Sequence, residues 1–350
     1  MRDDNNFSFI LPPEECSGAR IRLVGGKAAS LGELTKANIP VPPFIVISSE
    51  AYREYVKHNG LENAIELLDD TEDESRLLNL AGKIRSEILK APYPTGLKRE
   101  LMEAYGKLVS RWEVIAVRSS ATLEDAADAS FAGQYETFLG IRSFDQLLDS
   151  VKRCYASLFN DRSVLYRKRL KKKNSEAYMA VVVQSLVRAR SAGVMFTLNP
   201  TNGDPSVVVI ESSWGLGEAV VKGEVIPDSY VVSKVTGEVL KVRKSGNKPI
   251  KYETTEDGEL LTIMNPPEAH ELSLSSDEAV YLAEIGVRLE NHYGRPQDVE
   301  WVVDKNLRFP DNLFVVQSRP ATVSPTTSRA SELSSIPVLD RMVRILKAKP

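Results

Sequence analysis

The sequence predicts an α+β fold, and three observations carry that prediction. Apolar residues recur at helical spacing through most of the first half, and β-rich runs broken by Gly and Pro take over from Tyr178. Two strand-like segments, 298–303 and 313–319, then stand on either side of a short loop near the end.

Taken in order, helical periodicity marks 27–37, 49–57, 74–90 and 95–111, separated by Pro40, Pro42, Pro43, Pro92 and Pro94. A further helical region is expected from Phe144 to about Leu170. β-rich runs are expected at 178–187, 192–196, 207–211, 229–233 and 239–242. Ser275-Ser276-Asp277-Glu278 reads as a capping box that starts a helix running to about Tyr293. The change of pattern divides the chain into 1–177, helix-rich, and 178–320, β-rich. Residues 321–337 are dense in Ser, Thr and Pro and read as a linker. They lead to a short apolar-faced helix at 338–346, for which docking on its own core is favoured over docking on a partner, because so short a helix needs packing.

Composition narrows the function classes. At 350 residues and 42% hydrophobic content the chain is long enough for two or three packed subdomains. A net charge of −3 gives no electrostatic reason to expect nucleic acid or an anionic membrane. The basic run 167–173 ends a helical pattern, where cations are favoured, and reads as a solvated helix end. Cys16 and Cys154 stand in unrelated contexts and suggest neither a disulfide framework nor a zinc site. No long apolar stretch follows Met1, so neither a signal peptide nor a membrane span is expected, and the expected location is the cytoplasm.

Several motifs carry chemistry. In strands side chains alternate faces, so Asp298 and Glu300 share one face of their segment, as do Gln317 and Arg319 of theirs. A turn at about 304–312, with Pro310 and Asn312, folds the two into a hairpin that sets two carboxylates against an amide and a guanidinium. Hard oxygen ligands beside a planar cation suit a nucleoside triphosphate with Mg2+. Alone, the same residues also fit a surface hairpin with solvated charges.

Near the other end, Gly25-Gly26-Lys27 precedes a helical pattern, where glycines permit close backbone approach and exposed amides attract anions. It is not a P-loop, because Ile21 and Ala28 stand where that motif needs Gly and Ser or Thr. Between them, 114–121 is an apolar strand ending in Arg118-Ser119-Ser120, followed by the small-residue loop Ser130-Phe131-Ala132-Gly133-Gln134-Tyr135-Glu136-Thr137, which can cover phosphates. A buried strand with a capping serine is the plainer account of that cluster. Gly193-Val194-Met195-Phe196-Thr197-Leu198-Asn199-Pro200 and Glu211-Ser212-Ser213-Trp214-Gly215-Leu216-Gly217-Glu218 complete the set, each compatible on its own with a turn.

In this order the motifs resemble the N-terminal nucleotide-binding domain of the phosphoenolpyruvate synthase and pyruvate phosphate dikinase family, shared with rifampin phosphotransferase. The resemblance runs from about Leu23 to Pro320. It implies an ATP-grasp fold of two lobes with ATP between them. It implies that Lys27 and Arg118 contact ATP phosphates, that Glu300 and Gln317 hold Mg2+ or ribose and phosphate oxygens, and that Arg319 neutralises transferring charge. Lys27, Arg118 and Arg319 are the catalytic candidates. The segment 181–187 looks like the linker strand beside the adenine, which adds Gln184 and Val187, and the Glu211 motif adds Glu211, Gly215 and Gly217. For Asp298 the resemblance leaves open whether it does more than order its neighbours.

Full-length members of the family pass a phosphoryl group through a histidine in a Thr-Ser-His-Ala type motif on a swivelling domain, followed by a barrel for pyruvate or phosphoenolpyruvate. Neither is found in this sequence, and His58, His270 and His292 read as ordinary surface or helix-end histidines. The resemblance therefore implies the ATP-binding subunit of a split dikinase. It would use MgATP to phosphorylate a histidine on a separate protein that carries the swivelling and acceptor-binding domains, releasing AMP and phosphate. The alternatives are a subunit like that of phenylphosphate synthase and a nucleotide-binding regulatory module without transfer.

Overall fold

The computed structural model describes residues 8–109, 114–123, 136–255 and 259–321. The helix expected at 338–346 and most of the Ser/Thr/Pro-rich stretch lie outside the described residues. The class is α+β, and the chain forms two compact units, one built from residues up to 33 with 43–186, the other from 34–42 with 187 onward.

The first unit contains β1 (Ile10–Leu11), α1 (Ile21–Lys36, whose last turn counts with the second unit), β2 (Phe44–Ile47), α2 (Ser49–His58), α3 (Glu62–Asp69), α4 (Glu74–Lys90) and α5 (Thr95–Val109). It continues with β3 (Ile115–Ala121), β4 (Thr137–Ile141), α6 (Phe144–Ser157), α7 (Asp161–Arg169) and β5 (Met179–Ser185). The strands form one sheet in the order β1-β2-β5-β3-β4, antiparallel throughout. Because β5 is its central strand, this unit reaches Leu186.

Strand alternation sorts the sheet's faces. Ile115, Val117 and Ala121 of β3 and Met179, Val181 and Val183 of β5 join the core with α2–α7. Arg118, Ser120 and Gln184 are set on the opposite face. The helices follow their sequence cues. Leu77, Ala81, Ile84 and Ile88 form the buried stripe of α4, whose cap Asp73 accepts from the Arg76 amide at 2.7 Å, and Ser143 and Gln146 form a capping box on α6.

One expectation is corrected here. The helical region 144–170 is two helices, and the break at 158–160 turns α7 so that Arg167 is fully buried rather than solvated. Its Nε donates to Asn174 Oδ1 at 2.9 Å and its Nη2 to the Leu158 carbonyl. Asn174 is itself held by the Asp69 carboxylate. Lys168 donates to the carbonyls of Thr71 and Glu72, so this part of the basic run ties α7 to the end of α3.

The second unit contains β6 (Ala189–Phe196), β7 (Val207–Trp214), α8 (Glu218–Val221), β8 (Asp228–Ser233), β9 (Val239–Arg243), β10 (Ile250–Thr254), β11 (Leu260–Met264), α9 (Ser276–Tyr293), β12 (Gln297–Asp304) and β13 (Leu313–Pro320). Six strands form an antiparallel sheet in the order β13-β12-β6-β7-β8-β9, and β10 and β11 form a separate two-stranded sheet. The capping box read at Ser275 and Glu278 is formed, and α9 ends on Gly294 in the left-handed region. α9 presses on the sheet face that carries Met195, where a Cβ on Gly286 would stand 2.9 Å from Met195 Sδ. The stretch 34–42 belongs to this unit: Val315 N donates to Pro40 O at 2.8 Å, and Arg288 Nη2 donates to Asn38 O at 2.8 Å.

Two fully buried ion pairs lie inside this unit, Lys234 with Glu290, and Lys248 with Asp228 at 3.0 Å. Asp228 also accepts from Ser245 N, Ser273 N and Ser273 Oγ, which fastens the loops at 245 and 273 to the start of β8. Breaking a buried pair by removing one partner costs about 3–5 kcal/mol, since a carboxylate is left buried without its cation. Lys248→Met is expected to lower unfolding free energy by about that amount in urea denaturation, and a loss under 1 kcal/mol would show that the pair is compensated by the remaining donors.

Candidate functional site

In the first unit the Gly25–Lys27 and Arg118–Ser120 motifs, far apart in sequence, are knitted together. Gly25 interrupts α1 with φ 74° and ψ 172°, and a Cβ there would stand 2.0 Å from the Ser120 carbonyl oxygen. No residue but glycine fits both the left-handed backbone and that approach. Ser120 Oγ donates to Val24 O at 2.8 Å and accepts from Ala28 N at 3.1 Å, so one hydroxyl holds both sides of the break. Lys27 Nζ donates to Ser119 O at 3.1 Å.

On the same strand, Arg118 Nη1 donates to Gln184 Oε1 of the adjacent β5 at 3.3 Å, with Arg118 opposite Val182 and Ala116 opposite Gln184. Lys27, Arg118 and Gln184 are thus gathered at one side of the first sheet, an ammonium and a guanidinium beside an amide. Val187 follows β5 and begins the second unit with a buried side chain. Of the loop expected to cover phosphates, Ser130 to Tyr135 lie outside the described residues; the Glu136 carbonyl accepts from Ser119 Oγ, and Thr137 of β4 pairs with Arg118.

In the second unit the hairpin forms with the register its alternation requires, Glu300 opposite Gln317 and Asp298 opposite Arg319. The row continues across the sheet. Glu300 is opposite Val194 on β6, and Val194 is opposite Glu211 on β7. With strands spaced about 4.8 Å apart, Gln317, Glu300 and Glu211 occupy one line on one face, the two carboxylates about 10 Å apart at the backbone. This is the face opposite Met195 and α9, and all three side chains are half-buried. A register shift between Glu300 and Trp301 inserts Val316 into β13 directly beside the row, as bulges do where a side chain must be aimed.

The neighbouring row holds a clasp. Arg319 Nε and Nη2 each donate to Asp298 Oδ2 at 2.8 Å, and the Asp298 side chain is 13% exposed against 49% for Arg319. Asp298 therefore orders Arg319, fixing the plane of a guanidinium that faces solvent.

Past the end of β7, Gly215 has φ 74° and is pressed against the hairpin β10–β11, where a Cβ would stand 2.2 Å from the Tyr252 carbonyl oxygen. Gly215 N donates to Arg190 O and Leu216 N to Tyr252 O, so those two amides are bonded within the protein. Gly217 follows at the entrance to α8.

The donor set fits Mg2+. Glu300 and Gln317 offer hard oxygens from adjacent strands, and among the described residues no cluster of three or more His, Cys, Asp or Glu forms an all-protein cage. Mg2+ is ordinarily held by one or two carboxylates together with phosphate oxygens. Sequence reasoning did not single out Ser120 as the staple of the Gly-Gly-Lys break, nor Tyr252; the first was visible as a hydroxyl beside Arg118, and nothing local marked the second.

The AMP/ATP-binding domain of pyruvate phosphate dikinase matches residues 21–336. Phosphoenolpyruvate synthase of Aeropyrum pernix is 39% identical, over 98% of this chain and 46% of its own length. Its probable counterpart in Methanothermobacter thermautotrophicus is 41% identical over 99% and 50%, and phosphoenolpyruvate synthase of Pyrococcus furiosus is 34% identical over 98% and 47%. The chain spans about half the length of the curated relatives it matches. Among solved structures, D-alanyl-alanine synthetase A of Vibrio cholerae aligns over 93% of this chain and 67% of its own at 9% identity, with a TM-score of 0.34. Among the described residues no helix is long and apolar enough to cross a membrane.

Ser120→Ala leaves a buried carbonyl and a buried amide without their shared partner, at a cost of about 1–3 kcal/mol. Thermal unfolding should register that loss, and Gly25→Ala should exceed it because strain is added to a clash with the Ser120 carbonyl. A Gly25→Ala chain as stable as its parent would show that the break in α1 is not held as described.

Proposed function

The chain belongs to the pyruvate phosphate dikinase AMP/ATP-binding domain family, and on that premise we propose that it binds MgATP in the ATP-grasp manner and drives transfer of a phosphoryl group to a histidine outside its own sequence. The overall change splits ATP and water into AMP and phosphate, leaving the β-phosphoryl group on the histidine. That histidine is carried by a swivelling domain, either elsewhere in a longer chain or on a separate protein, and the phosphohistidine then serves an acceptor such as pyruvate. The observation that supports this most is the row Gln317, Glu300, Glu211 with the Arg319–Asp298 clasp beside it.

Phosphoryl transfer asks a protein for position and charge neutralisation more than for covalent chemistry. Lys27 and Arg118 contact phosphate oxygens, and Gln184 and Val187 lie beside the adenine. Glu211, Gly215 and Gly217 border the polyphosphate, while Glu300 and Gln317 hold Mg2+. The metal, when bound, offsets charge on the phosphate oxygens. Arg319, oriented by Asp298, meets the charge that develops as the bond to the leaving group breaks, and a guanidinium suits this because its donors are fixed in a plane.

We read the three histidines of this chain as structural rather than as phosphoryl acceptors. His58 closes α2, His292 stacks edge-on against Tyr293, and His270 Nδ1 lies 2.7 Å from Gly246 O. Incubation with ATP labelled on the β-phosphate should leave the chain unlabelled, and label should appear on an added histidine-bearing partner. Acid-labile label on His58, His270 or His292 would overturn the reading. Tight MgATP binding with no AMP formed in the presence of such a partner would favour a regulatory nucleotide module instead.

Two variants separate the roles in the hairpin. Two unit charges about 4 Å apart interact by roughly 4 kcal/mol at an effective dielectric near 20, so losing the guanidinium is costly where charge develops. Arg319→Ala should slow partner-dependent AMP formation about 10²–10³-fold, with a smaller loss of ATP affinity, as expected for a contact made mainly in the transition state. Glu300→Gln should raise the Mg2+ concentration needed for activity, since it removes an anionic ligand and keeps the volume. Measured across a Mg2+ titration, two variants that behave like the parent would make the hairpin a structural element only.

A further inference from the structure

The β10–β11 hairpin belongs to no larger sheet, yet it is fastened to the loop that leaves β7. The Tyr252 carbonyl accepts from Leu216 N at 2.8 Å, and Gly215 bridges Tyr252 in parallel register. The Tyr252 side chain reaches the other end of the same segment. Its hydroxyl donates to Glu224 Oε2 at 2.8 Å, and Lys222 Nζ lies 4.8 Å from its ring centroid. One residue therefore grips the segment before and after α8.

The hairpin is in turn moored by charge. Lys251 Nζ lies 2.7 Å from Glu268 Oε1 and 3.1 Å from Glu253 Oε2, and Lys305 Nζ lies 2.7 Å from Glu253 Oε1. Burial pushes Glu253 up, but the hydrogen bonds from Lys305 and Lys251 outweigh it, so its carboxyl titrates below the ordinary range. Burial likewise works against the Lys251 ammonium, and the bonds to Glu268 and Glu253 reverse that. The mooring is charged throughout the neutral range.

We propose that the β10–β11 hairpin positions the Trp214–Gly217 loop for nucleotide binding, with Tyr252 as its positioning residue. This rests on the reading of that loop as part of the ATP site. A loop with a left-handed glycine has many conformations available, and holding one of them in advance spares the ligand the cost of selecting it. Tyr252 touches neither substrate nor metal in this scheme; it acts through Gly215 and Leu216.

The test measures MgATP affinity by calorimetry and hydrogen exchange at the Leu216 amide, in the full chain. Tyr252→Ala should weaken MgATP binding about tenfold and speed exchange at Leu216, with the melting temperature nearly unchanged. Tyr252→Phe keeps the ring under Lys222 but loses the hydroxyl bond to Glu224, and should fall between the parent and Tyr252→Ala in both readouts. Lys251→Ala, which cuts the mooring without touching Tyr252, should move both in the same direction by about threefold. Faster exchange with unchanged affinity would overturn the positioning role, and tighter binding would show that the hairpin restrains the loop instead. If the parent chain itself binds no MgATP, the reading of the site fails first and this inference with it, an outcome distinct from a parent that binds and variants that bind equally.

Discussion

The register of antiparallel strands is the constraint on which the candidate site depends. Because opposed residues share a face, the pairing of Glu300 with Gln317 and with Val194 decides that a carboxylate, an amide and, one strand further, Glu211 stand in line. A slip of one residue would send the whole row to the face packed by α9 and bring Val299 and Met195 out in its place. The apolar burial of Val299, Met195, Ile210 and Tyr230 thus holds the polar row where it is. Packing on one side of the sheet fixes the polar row on the other.

The first unit achieves the same end by a different route. There the polar residues arrive from a helix break and a strand rather than from one hairpin, and the link between them is a single hydroxyl. Ser120 bonds to both sides of Gly25, while the backbone of Ser119 receives Lys27. The lysine's place relative to Arg118 is set by short bonds to the backbone, which tolerate little displacement.

Long, strongly patterned elements were legible in the sequence. The bounds of α4 match the periodicity, the capping box of α9 is formed, and the closing hairpin pairs in the register that its alternation requires. Short elements were not: β2 has four residues, α3 eight, and β10 and β11 depend on each other across the sequence. Their stability comes from tertiary partners, which no local pattern reports. The same applies to Arg167, whose place in a basic run gave no sign that α7 would turn it inward to Asn174. Of the candidate site, residue types and faces were readable, whereas the Ser120 staple needed contacts between positions 92 or more residues apart and the grip of Tyr252 contacts between positions 28 or more apart.

The excursion of residues 34–42 has a consequence for how this protein can be divided. The chain leaves the first unit, supplies Pro40 and Asn38 as acceptors for Val315 and Arg288, and returns at Pro43. No single cut yields two contiguous pieces that each hold all their own contacts. A fragment beginning at Val187 would lack the acceptors that Val315 and Arg288 use, and one ending at Leu186 would carry 34–42 with its partners removed. The two units are separate as cores and inseparable as sequence, so a gene encoding either alone would have to borrow from the other.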